Sequence, residues 1–194
     1  MLKSLIVLVA VVFCTVLAQL PRPCNSPSQW EGRFSRYDVS RNFTQYARIA
    51  YDAVSRRVRE REELAIGSTT DFYDVLRLFN ERKEYRVNLR TRTCNVTAFT
   101  RPFVDIGLPS NANFTDSFVI GMAGLPNEHV TAAIFEGSYE GGRYFGIVST
   151  PDCVPLRFGY DSPTYGYEDT RYYDIKAGIS DPEAFIPPSI CSGR

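Results

Sequence analysis

Four cysteines, Cys24, Cys94, Cys153 and Cys191, are spread from near the start of the chain to its end. What they can do depends on the residues ahead of them. Met1-Leu2-Lys3 supplies a positive charge, residues 5–17 are an almost unbroken apolar run, and Val16-Leu17-Ala18 sets small or aliphatic residues before Pro21 and Pro23. That is the layout of a secretory signal peptide. A membrane span needs about 20 apolar residues, and this run is shorter. The sequence therefore predicts a cleaved leader over residues 1–18 and a mature single domain over residues 19–194. Cleavage removes a fifth cysteine, Cys14, and leaves an even number in an oxidising compartment. Two disulfides follow, with three pairings open. Zinc is the rival use of four cysteines. No CxxC pair occurs and His129 is the only histidine, so the usual ligand spacing is missing.

Three sequons fit the same compartment: Asn42-Phe43-Thr44, Asn95-Val96-Thr97 and Asn113-Phe114-Thr115. Glycans need exposed backbone, so each asparagine is expected at a turn or a strand edge. No later segment is apolar enough to span a bilayer, and a soluble product is expected. Formal net charge is +0, which excludes a general attraction to nucleic acid or anionic membrane. The basic cluster Arg56-Arg57, Arg59 and Arg61 is neutralised by Glu60, Glu62 and Glu63, and reads as a solvated strand end or hairpin.

Aromatic and β-branched residues are plentiful and long helical periodicity is scarce. Residues 47–53 alternate apolar and polar, the period-2 mark of a half-buried strand. Residues 31–39, 71–79, 84–93, 94–103, 154–160 and 171–179 read as further strands. Residues 129–139 and 143–150 form the clearest hairpin, with Gly141-Gly142 as the turn between them. Residues 116–123 suit a short helix or a strand. Asp181-Pro182 resembles a capped helix start, stopped by Pro187-Pro188. The sum is mainly β, with at least eight strands and one or two short helices. Turn signals at regular spacing point to an antiparallel sandwich or half-open barrel.

Catalytic constellations are absent from the sequence. His129 follows Asn127-Glu128 in a polar turn, no GxSxG elbow occurs, and the mature cysteines are oxidised. An enzyme is not expected, and no cofactor is required. Asp161, Glu168 and Asp169 bracket a loop where hard oxygen ligands would suit calcium, although no EF-hand pattern is present. The apolar strand faces supply a different kind of site. Ile49, Tyr51, Leu76, Leu78, Phe118, Ile120, Phe135, Phe145 and Ile147 are the candidates to line an interior that is either a packed core or a ligand cavity.

Ordered landmarks run along the mature chain: Pro23-Cys24 followed by Gln29-Trp30-Glu31-Gly32; Asp71-Phe72-Tyr73-Asp74; the Cys94 strand; Val148-Ser149-Thr150-Pro151-Asp152-Cys153-Val154-Pro155; and Pro187-Pro188-Ser189-Ile190-Cys191. In these the chain resembles the ependymin-related proteins over essentially its whole mature length. The resemblance implies pairing of Cys24 with Cys153 and of Cys94 with Cys191. It implies two antiparallel sheets folded over one another, similar to bacterial lipoprotein carriers, around a deep hydrophobic pocket for fatty acids or other lipids. A homodimer and an association with calcium are implied as well. The expected role is a secreted, extracellular carrier or signalling component, with the lysosomal lumen second. The alternative is an extracellular adhesion, matrix or communication protein acting through its glycans, calcium or dimer surface.

Overall fold

The computed structural model describes residues 20–125, 127–139, 141–163 and 166–192. The leader expected over residues 1–18 lies outside the described residues, as does Gln19. Eleven strands form one antiparallel sheet. They are β1 (Gln29–Asp38), β2 (Phe43–Asp52), β3 (Arg57–Ile66), β4 (Thr69–Leu78), β5 (Lys83–Asn88), β6 (Thr93–Ala98), β7 (Asn113–Gly121), β8 (His129–Tyr139), β9 (Gly142–Ser149), β10 (Pro155–Ser162) and β11 (Gly166–Ala177). The spatial order is β6-β5-β4-β3-β2-β1-β11-β10-β9-β8-β7. Two meanders, β1–β6 and β7–β11, therefore meet at their outermost members. Because β1 pairs with β11, the two antiparallel halves form one continuous sheet that does not close into a barrel.

Most expected strands are present with ends moved by a few residues. Two elements differ, and a third, left open, is settled. β3 is a full central strand rather than a hairpin end. Its charges do not forbid this, because each inward carboxylate has a guanidinium partner: Glu60 bonds Arg77 and Glu62 bonds Arg86. Residues 116–123 suited either a short helix or a strand, and the structure takes the second: residues 116–121 belong to strand β7. The Asp181-Pro182 start never becomes a helix. It closes as a turn, with Ala184 N donating to Asp181 O at 3.0 Å and Glu183 N to Asp181 Oδ1 at 2.9 Å. Among the described residues the one helical element is a 3-10 turn at Ser189–Cys191.

The links between strands cover both faces of the sheet. Residues 99–112 cross what we call the inner face as an irregular strap. Phe103 and Ile106 pack there against Trp30, Phe34, Ile49, Tyr51 and Val58, and Leu108 joins Ala133, Phe135 and Val148. Residues 179–191 cross the outer face of the first meander, where Ala184 and Phe185 pack on Leu76 and Leu78. Arg59 holds this segment down. Its guanidinium grips both oxygens of Asp74, at 2.8 and 2.7 Å, and donates to Ala184 O at 2.9 Å.

The disulfides pin the same two coverings. Cys24–Cys153 ties the chain beside the strap, where Leu108 N donates to Cys24 O, to the β9–β10 connection. Cys94–Cys191 ties β6 to the carboxyl-terminal segment. These are the pairings that the resemblance implies. They close loops with sequence separations of 129 and 97 residues. A chain-entropy account assigns about 4–5 kcal/mol to each loop of that size.

Candidate functional site

The site begins with strand alternation. In β1 and β2 one face reads Trp30, Phe34, Ala47, Ile49 and Tyr51, all buried. Across the seam the same face continues through Tyr172 of β11, which lies opposite Phe34, and Phe158 of β10, which lies opposite Thr170. The strap does not seal this face. It leaves two chambers, one on either side of Phe103, Val104 and Ile106.

The larger chamber has a volume of about 810 Å³ and is walled by Phe103, Ile106, Leu108, Tyr144, Phe158 and Tyr172. Asn25, Asp105, Glu168 and Thr170 border it with polar groups. The smaller has a volume of about 490 Å³, walled by Phe34, Ile49, Tyr51, Val58 and Phe79 and edged by Arg36, Glu60, Arg77 and Arg101. Both volumes lie in the range of small-molecule sites, about 300–1,000 Å³. Phe103, Val104, Ile106 and Tyr172 border both chambers, so the strap is their shared wall.

The strap is fastened at a few points. Tyr51 Oη accepts from Ile106 N at 3.1 Å and donates to Asp105 Oδ1 at 3.3 Å. Ser26 N donates to Ile106 O, and an isolated bridge joins Asn25 to Gly107. At its beginning, Phe99 and Phe103 both meet the ring of Phe79 edge-on, each at 5.0 Å. Burial pushes the phenols of Tyr51 and Tyr172 up to about 12, so both are neutral hydrogen-bonding groups throughout the physiological range. Tyr144 Oη is buried without a hydrogen-bond partner among the described residues.

One side of the smaller chamber is charged but internally paired. Arg77 donates to Glu60 and Glu84, each at 2.9 Å. Burial lowers the affinity of Arg77 for its proton, but the two carboxylates outweigh that effect and hold it above its ordinary value. For Glu62 the balance reverses. Burial pushes its carboxyl up despite Arg86 at 2.7 Å and a hydrogen bond from Gln45.

Of the residues anticipated for an apolar interior, the structure brings Ile49 and Tyr51 to the smaller chamber. Phe135 is fully buried under Leu108 and Val148, in the packing beside the larger chamber. Phe145 borders the larger chamber, but its ring lies over Gly159 and under the Arg157 guanidinium on the outer face. The other five are corrections to that expectation. Leu76 and Leu78 point to the outer face, where the carboxyl-terminal segment buries them. Phe118 and Ile120 stand exposed on edge strand β7, at 36% and 44% accessibility. Ile147 also leaves the interior: it pairs with Ile134 and Arg157, and strand alternation puts it beside the neighbours of Phe145. Period-2 patterning identifies a buried face without saying which side of the sheet carries the cavity. The strap residues Ile106 and Leu108 escape such reading altogether, because they lie in a loop between Pro102 and Pro109 with no strand period, and Phe103, read as the end of the 94–103 strand, lies in the strap because β6 stops at Ala98.

The acidic residues considered for calcium do not converge. Glu168 and Asp169 are consecutive in β11 and so lie on opposite faces. Glu168 pairs with Arg36 on the inner side, Asp169 with Arg157 and Arg171, and Asp161 with Arg143. Among the described residues no group of three or more His, Cys, Asp or Glu could hold a metal ion. His129 is exposed at the start of β8, with Nδ1 at 3.0 Å from Leu125 O. The three sequon asparagines are exposed: Asn42 in the β1–β2 turn, Asn95 in β6 and Asn113 at the start of β7. Among the described residues no helix is long and apolar enough to cross a membrane.

An open antiparallel sheet with a strapped, apolar and paired-charge interior defines a β-rich protein with a cavity. The Ependymin family model matches residues 67–191, and the chain belongs to that family. It is 28% identical over 177 residues to "Mammalian ependymin-related protein 1" of Rattus norvegicus, covering 88% of this chain and 77% of the rat protein. It is 26% identical over 149 residues to "Ependymin-1" of Oncorhynchus mykiss, covering 74% of this chain and 66% of that one. Among solved structures, an uncharacterized conserved protein from Thermus thermophilus superposes with a TM-score of 0.48 at 12% identity, covering 84% of this chain and 86% of the other.

Proposed function

We propose that this protein is a secreted, non-enzymatic binder of an apolar or amphipathic molecule, a fatty acid or another lipid, held in the chambers beneath the strap. The single observation that carries the reading is the pair of chambers separated by Phe103, Val104 and Ile106. Apolar surface removed from water there supplies about 25 cal/mol per Å². Aromatic walls provide that surface, while Arg36, Arg101 and Glu168 at the borders suit a polar head group. The strap rests on few hydrogen bonds and can yield as a chain enters. Membership of the ependymin family supports the reading, since it carries the expectation of a lipid-binding pocket.

Native mass spectrometry of the protein purified from the medium of expressing cells tests it. The expected result is a bound mass that denaturation releases as lipid, together with saturable uptake of a fluorescent fatty acid by delipidated protein. Protein that is ligand-free and takes up no fluorescent fatty acid overturns it. One observation favours a second reading, an extracellular interaction protein. Phe118, Val119, Ile120, Met122, Leu125 and Val130 are all exposed in the β7–β8 hairpin, an apolar surface apart from the chambers. A homodimer using that hairpin would bury it, and the mass of the native protein reports on this directly.

A further inference from the structure

A sheet that does not close has two free edges. Each edge strand presents unpaired N–H and C=O groups that template pairing with another chain, and soluble proteins blunt such edges with lysine, proline, bulges or shortness. Here the edges are β6 and β7. Neither Thr93–Ala98 nor Asn113–Gly121 contains a lysine, an arginine or a proline. Both are rich in strand-favouring residues, with Thr93, Val96 and Thr97 in one and Phe118, Val119 and Ile120 in the other. By composition they are strands that pair.

The sequons fall on the edges that lack lysine and proline, where the remaining defences are the six-residue length of β6 and the bulge in β7. Asn95 is the third residue of six in β6, and Asn113 is the first of nine in β7. Both are exposed. The third sequon, at Asn42, sits in a turn, and the nine interior strands hold none. We propose that N-linked glycans at Asn95 and Asn113 cap the two open edges and keep copies of this sheet from pairing edge to edge. The proposal rests on the secreted reading above, because only an exported chain acquires them.

The physical reason is spacing. A pairing strand must lie about 4.8 Å away along its whole length. A branched, hydrated glycan in the middle of a six-residue edge removes that approach. On β7 the glycan blocks one end and the bulge between Phe114 and Asp116 disturbs the next residues, which leaves only a short run to Gly121.

The test uses the full-length protein secreted from cells, with peptide mass mapping to establish occupancy. Asn95→Gln, Asn113→Gln and the control Asn42→Gln are compared by light scattering over a concentration series. The Asn42 variant should match wild type. The two edge variants should shift to larger species as concentration rises, and adding Val96→Lys to Asn95→Gln should reverse the shift. Trimming the folded wild-type glycans to a single sugar with an endoglycosidase gives the same shift without disturbing biosynthesis. The proposal is overturned if Asn95 or Asn113 is unoccupied in the secreted protein, or if trimmed protein keeps its original size at every concentration. Fatty-acid uptake measured on the same trimmed sample reports separately on the ligand reading.

Discussion

Across β2–β5 the inner face sets a row of Gln45, Glu60, Glu62, Arg77 and Arg86 among the apolar Ile49, Tyr51, Val58 and Val75, whereas across β8–β10 it carries Ala133, Phe135, Gly146, Val148 and Phe158. One sheet thus builds its interior from two materials. In the first meander, carboxylates and guanidiniums satisfy each other in a row across the strands. In the second, glycine gives space to rings: a Cβ on Gly146 would come within 2.4 Å of Leu108 and 2.9 Å of Phe158. The difference teaches where a ligand gains most. The larger chamber lies against the apolar half, and the charged half supplies its neighbour with fixed, already neutralised polar groups.

The largest effect should come from breaking the charged half. Arg77→Ala leaves Glu60 and Glu84 uncompensated, and removing one partner of a buried ion pair costs about 3–5 kcal/mol. Chemical denaturation should show that loss. A cost of less than about 1 kcal/mol, the range of exposed pairs, would mean that the row is solvated and the contrast between halves is superficial.

Gly146→Val attacks the apolar half. Its new side chain meets Leu108 and Phe158, and overpacking of this kind costs about 1–3 kcal/mol. It should also push the strap outward and weaken fluorescent fatty-acid uptake, whereas Arg77→Ala should lower stability more than uptake. Titration of both folded variants at equal temperature checks the split.

Acid separates the two kinds of carboxylate. Asp52 and Asp169 are held below the ordinary 3.8: burial opposes their ionisation, but Arg57 and a backbone N–H at Asp52, and Arg157 with Tyr167 at Asp169, outweigh it. Their stabilisation is fully present above pH 3.8 and is lost as pH falls through their lowered folded values. Glu62 is raised above 4.5 by burial, so its sign is opposite. Ionised, it opposes folding, and that penalty fades as pH falls through its raised folded value towards 4.5. Urea midpoints measured downward from about pH 7 should therefore show a Glu62-dependent gain before the acid loss. Glu62→Gln should abolish the gain and keep the loss.

The smallest effect is expected at Tyr144, whose buried hydroxyl lacks a partner among the described residues. Tyr144→Phe should leave stability unchanged or raise it by up to about 1 kcal/mol, since a buried unsatisfied group costs what its removal returns. A thermal melt suffices. A clear loss of stability would show that the hydroxyl is bonded in solution.

How much of this was legible in the chain varied with the kind of signal. The hairpin at β8–β9 was readable because Gly141-Gly142 falls between two strand-like runs, and its boundaries lie within a residue of those expected, although Gly142 opens β9 opposite Tyr139 rather than completing the turn. β3 was obscured because its charges mimic a solvated surface, and only the opposite strands supply their partners. Leu76 and Leu78 were apolar and strand-borne, as a cavity wall would be, yet the covering segment that buries them lies on the other face. A residue's polarity can be read locally, but its side of the sheet depends on what crosses over it.

The sequence by itself determined the strand-rich class and made two disulfides the expectation, because period-2 patterning and cysteines are local or countable properties. The meeting of β1 with β11 was decided only by the tertiary structure, and so were the crossing of the strap and the division of the interior into two chambers. Those features join residues far apart in the chain, such as Phe34 and Tyr172. No local pattern encodes such a pairing. It emerges when the whole chain buries its apolar faces at once and each buried charge must find its partner.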